Sequence, residues 1–177
     1  MDQPLDTSSV WQIDGEWSSR TFLSAAESLL SEGDVALFGA YEPTRELSEA
    51  LLELGCKAHN HLEGFYTCFD INRSEHPDGC VFAMPIGSIG FSQILSLEPA
   101  ILRQNDNPEF YDHFVAYRLD DQRIPLMSHH DAFSGGSLFL STVYAQEDVE
   151  TLSASLGGEA KMIENPVLTI HSRSRSR

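Results

Sequence analysis

The apolar positions of this chain switch between two periods. Between residues 20 and 32, Phe22, Ala25, Ala26, Leu29 and Leu30 recur at three and four, the stripe of an amphipathic helix that Gly33-Asp34 ends. Residues 35–41 then form an apolar run of strand length without polar alternation, which predicts a central strand buried on both faces. A second helix is expected over residues 43–54. Pro43 suits its first turn, Leu47, Ala50, Leu51 and Leu54 make its stripe, and Gly55 suits the position after its end. Arg45 and Glu49 lie one turn apart on it and can pair.

The middle of the chain reads as strands over 56–71 and 80–86 around a turn-rich stretch at 72–79, then an apolar segment at 94–102 that Pro99 interrupts and that fits neither period. Asn107-Pro108-Glu109 has the chemistry of a helix start, so a helix is expected over 108–118. The competing strand reading rests on the alternation of His113, Val115, Tyr117 and Leu119. Residues 124–127 read as a short strand, 128–136 as a loop and 138–145 as a strand. An acidic helix follows at 146–156, ended by Gly157-Gly158, with final strand pieces at 161–164 and 167–170. At the start, Val10, Gln12 and Asp14 alternate with Trp11 and Ile13, so residues 1–19 read as an arm or a first strand.

This order predicts an α+β fold: a mixed or antiparallel sheet packed by two to four helices in a single domain over 20–171. The alternating Ser and Arg of 172–177 make a low-complexity tail, expected to be disordered.

Charge narrows the class of function. The 177 residues hold 27 acids against 11 bases, a net −16; three of the bases, Arg173, Arg175 and Arg177, sit in the last five positions, so the body alone stands at −19. Such a field repels nucleic acid and anionic membrane, both polyanions, and favours a basic or neutral protein partner. The candidate contact residues are the acids outside the apolar stripes: Glu42, Glu46, Glu49 and Glu53 on the second helix, and Glu147, Asp148 and Glu150 on the last. Trp11, Trp17, Phe110 and Tyr111 are candidate anchors. No apolar stretch approaches the roughly 18 residues of a membrane span. The acidic N-terminus lacks the apolar core of a secretory signal, and three cysteines do not close a disulfide framework, so a cytoplasmic location is expected.

Candidate chemistry centres on histidine. Cys56, His59, His61, Cys68, His76 and Cys80 crowd one region, with short pairs Cys56-x-x-His59 and His76-x-x-x-Cys80 of the kind that hold zinc. A second arrangement joins His59 and His61, which share a face if extended, to His129, His130 and Asp131. Two histidines and a carboxylate can hold a divalent zinc, iron or manganese with open positions, and His130 and Asp131 are the candidate catalytic pair. Gly79, Pro85 and Gly87 resemble the spacing of the second motif of cupin barrels, and His59-x-His61 the core of the first. Gly90 stands where that family has a ligand, and the helices do not suit a barrel, so the family is set aside. No GxSxG elbow, P-loop or GxGxxG is present. Two readings result: an acidic binding protein of inhibitor, immunity, adaptor or regulatory type, and a small metal-assisted hydrolase or oxygenase.

Overall fold

The computed structural model describes residues 8–59, 79–105, 112–118, 124–130 and 136–164. They form eight strands: β1 (Ser9–Gly15), β2 (Asp34–Tyr41), β3 (Lys57–His59), β4 (Gly79–Pro85), β5 (Asp112–Arg118), β6 (Ile124–His130), β7 (Gly136–Leu140) and β8 (Glu159–Glu164). Five helices lie between them: α1 (Ser19–Glu27), α2 (Arg45–Glu53), α3 (Phe91–Leu95), α4 (Glu98–Asn105) and α5 (Gln146–Leu156). All eight strands join one sheet in the order β3-β4-β2-β5-β6-β7-β1-β8, and each neighbouring pair is antiparallel. The fold is α+β.

Register explains where the core sits. Directly opposed residues of an antiparallel ladder share a face. One continuous row reads Phe82, Phe38, Phe114, His129, Leu138, Ile13 across β4, β2, β5, β6, β7 and β1. Every member of that row is buried. The helices close over this face: Phe22 and Leu23 of α1, Leu47 and Leu51 of α2, Ile94 of α3, Ile101 of α4, and Val149 and Leu152 of α5 join the row in a single core. Phe22 meets Phe114 edge to face, with centroids 5.2 Å apart, the arrangement ring quadrupoles favour. The opposite face is mixed. Val81, His113, Val115 and Tyr117 are buried there, whereas Gln12, Asp14 and Ser137 are partly exposed.

Several expectations change. Residues 112–118 are strand, not helix, because His113, Val115 and Tyr117 bury on one face while Phe114 and Ala116 bury on the other; a strand between β2 and β6 satisfies both sets and a single helical stripe does not. The helix-start residues Asn107-Pro108-Glu109 lie outside the described residues. The expected loop at 128–136 is strand through His130. The strand expected at 138–145 ends at Leu140, and the segment 94–102 is two helices, with Pro99 in the first turn of α4. The second helix starts later than Pro43: Thr44 is its cap, its Oγ1 accepting from the Leu47 amide at 3.2 Å. Val35 and Leu37 are only half-buried, so β2 is fully covered on the helix side alone. The described residues carry one helix more than expected. The stretches 60–78 and 165–177, including the last strand piece and the Ser/Arg tail, lie outside the described residues.

One ion pair with a buried carboxylate pins the central strands. Asp34 and Arg118 are register partners at the end of β2 and β5. The Asp34 carboxylate, almost wholly buried, accepts from Arg118 Nε at 3.1 Å and from the Ser31 amide at 2.8 Å. Removing one partner of such a pair leaves the other desolvated and unpaired. Asp34→Ala should therefore cost about 3 kcal/mol in urea unfolding. Arg118→Ala should cost less, because the Arg118 side chain is 42% exposed and water can replace part of what it loses. Equal losses would show that burial of Asp34 is not what matters.

Candidate functional site

Charge in the helical layer is one-sided. Its helices and flanking turns carry Glu27, Glu32, Glu42, Glu46, Glu49, Glu53, Glu98, Glu147, Asp148 and Glu150 against Arg20, Arg45 and Arg103. Each arginine is bound to an acid of the layer: Arg20 to Glu98, Arg45 to Glu49 at 2.6 Å, and Arg103 to Glu46 at 2.7 Å. Apolar stripes turned inward leave the acids outward, so all of them except half-buried Glu98 are exposed. Of the candidate contact residues, Glu46 and Glu49 are thus already partnered, and Glu42, Glu53, Glu147, Asp148 and Glu150 form no ion pair among the described residues. Glu150 accepts a hydrogen bond from Gln146 instead. Leu52 of α2 and Leu102 of α4 are half-exposed apolar side chains on the same layer.

The histidine candidates do not share one place. His59 ends β3, His129 and His130 end β6, and His61 and Asp131 lie outside the described residues. His59 and His130 share a register row through Val81, Gly39 and His113, yet four ladder steps separate them. That is about 19 Å along the sheet. One ion held at about 2 Å by two imidazoles tolerates Cα atoms no more than roughly 13 Å apart. His129 points to the other face, where Trp17 (5.1 Å) and Phe22 (5.3 Å) meet its ring edge to face. It is a core residue of a strand, not a loop ligand, and Trp17 is correspondingly a core side chain rather than an exposed anchor. Among the described residues no group of three histidine, cysteine or acidic side chains is placed to hold a metal. The register pairs His130 with His113.

The cysteines divide likewise. Cys56 is buried in the core, and burial pushes its thiol up to about 11, away from the thiolate that a metal or an electrophile needs. Cys80 is half-buried on the core side of β4, and Cys68 and His76 lie outside the described residues.

A polar cluster that no sequence motif announces lies on the opposite face, across β7, β1 and β8. Asp14 accepts from Ser137 Oγ (2.6 Å), Gln12 Nε2 (2.6 Å) and Lys161 Nζ (2.7 Å). Burial raises the Asp14 carboxyl, but the hydrogen bonds of Lys161, Ser137 and Gln12 and the Lys161 charge outweigh it and hold the group below its ordinary range. Cross-strand pairing places these residues together: Asp14 opposes Ser137, and Gln12 opposes Lys161. A sated, hydrogen-bonded carboxylate of this kind is a weak base, so the cluster fixes register rather than moving protons.

The chain matches no family model, no curated protein and no solved structure.

Two outcomes follow. The folded Asp14 carboxyl titrates below its unfolded value, so its contribution is complete above the ordinary carboxylate range and is lost as pH falls through the lowered folded value. Lys161→Met should therefore lose less of its urea midpoint than the parent between about pH 5 and about pH 1; an unchanged acid limb would show that Lys161 does not hold Asp14. For His129, replacement by Ala should cost about 3 kcal/mol through the cavity left against Trp17 and Phe22, and added chelator should leave the parent's midpoint where it was. A midpoint that falls with chelator would return His129 to the ligands.

Proposed function

We propose that this protein acts by binding a basic protein partner on the outer surface of its helical layer, as an inhibitor, immunity, adaptor or regulatory protein does. The observation that carries the reading is the locked state of the layer's three arginines. Each is spent on an acid of its own surface, so the charge left for a partner is uniformly negative. Uncompensated acids spread over α2 and α5 raise the encounter rate with a cationic surface and reject polyanions. Half-exposed Leu52 and Leu102 supply apolar area inside that field, which charge alone lacks.

The test is kinetic and needs a positional control. With an arginine-rich peptide as probe, association should slow at least about tenfold as salt rises from about 0.05 to about 0.5 M. The combined change Glu27→Lys, Glu53→Lys, Glu147→Lys and Glu150→Lys should slow it comparably at low salt. Reversing Glu159 and Glu164 of β8 should leave the rate within about twofold, because those acids belong to the sheet edge. Equal effects of the two reversals would mean that net charge, and not this layer, attracts the peptide.

A further inference from the structure

The turn from β2 into α2 gathers features that neither packing nor the docking surface explains. Glu42 has φ 43°, the one non-glycine residue with positive φ among those described. Two residues on, Thr44 caps α2, and its own backbone amide donates to Gln104 Oε1 at 2.6 Å. Gln104, in the last turn of α4, is fully buried. Its Nε2, the other end of an amide already fixed at the helix start, has no hydrogen-bond partner. The orientation is set, since only the oxygen can accept from the Thr44 amide. The Leu47 amide is taken by Thr44 Oγ1 and the Ser48 amide by the Thr44 carbonyl, while the Arg45 and Glu46 amides have no partner inside the helix.

A buried NH2 group without an acceptor is costly, and this one lies beside the start of α2, whose cap amide its own oxygen holds and where free helix N–H groups favour an anionic acceptor. The complementary group is an oxygen anion. The rim restricts which one. Glu42 and Glu46 are exposed there, and the two nearby arginines are held by Glu46 and Glu49. A dianion such as phosphate meets uncompensated negative charge, whereas a carboxylate attached to a cation satisfies both parts of the site. We propose that the β2–α2 turn binds the carboxylate of a small zwitterion of amino-acid type, its oxygens on Gln104 Nε2 and the first amides of α2 and its cationic group toward Glu42. The site shares Glu42 with the docking surface, but its argument, from Gln104 and the start of α2, does not depend on that reading.

Calorimetry on the full chain tests this with L-arginine, L-argininamide, which lacks the carboxylate, and acetate, which lacks the cation. L-arginine should bind saturably and each of the other two at least about tenfold more weakly. Gln104→Glu keeps an acceptor for the Thr44 amide and removes the NH2 group, and should weaken L-arginine at least about tenfold. Gln104→Met serves the same purpose if the glutamate variant does not fold. Glu42→Gln should weaken L-arginine and should not weaken acetate. L-argininamide binding as tightly as L-arginine, or L-arginine binding undiminished by loss of the Gln104 NH2 group, overturns the proposal. So does the absence of any binding heat together with a crystal structure showing only a structural water on Nε2. None of these outcomes involves the arginine-rich peptide, so the docking reading stands or falls separately.

Discussion

The fold depends on one row of side chains. Phe82, Phe38, Phe114 and His129 lie directly opposite one another across β4, β2, β5 and β6, and the row continues through Leu138 to Ile13. A register slip of one residue on any strand would turn its member out of the row and expose it on the other face. Phe22 of α1 touches both Phe114 and His129, so the same contact that locks register also seats the first helix. Aromatic edge-to-face pairs add about 0.5–1.5 kcal/mol beyond the area they bury, and here they act where strand order and helix layer meet.

That arrangement has functional consequences. With the helices drawn onto one face, their polar sides form one continuous outer layer, and its composition decides what the molecule presents. Glutamates outnumber arginines there, and the arginines are bound within it. The sheet also sets distances: by spreading β3 and β6 four steps apart it keeps His59 from His129 and His130, whatever their spacing in sequence suggests. His129 serves the core row because its strand parity turns it there, and its neighbour His130 is the residue whose register partner is His113.

The sequence was legible where local pattern and tertiary role agreed. The stripes of α1 and α2 are each a period that packing later used, and the apolar run at 35–41 marked a central strand, although only its helix side is fully covered. Legibility failed where two faces bury at once. Around residues 112–118, Phe114 and Tyr117 look helical by spacing, yet Phe114 faces α1 while His113 and Tyr117 face away from it, and only knowledge of a covered second face tells the two apart. At 128–130 histidines beside serine suggested a loop, since nothing local shows that an imidazole fits a row of phenylalanines. The acidic helix faces could be read directly from charge position. The binding of Arg103 to Glu46 could not, because it joins two helices that are distant in sequence. Gln104 and Thr44 escaped notice for the same reason: a glutamine gives no signal until its burial is known.

Hydrogen–deuterium exchange with and without a saturating arginine-rich peptide tests the functional account most directly. Exchange should slow in Arg45–Glu53 and Gln146–Leu156, the helices that carry the unneutralised acids, and stay unchanged in Glu159–Glu164 at the sheet edge. Protection confined to Glu159–Glu164, or absent from both helices while the peptide is bound, would contradict it.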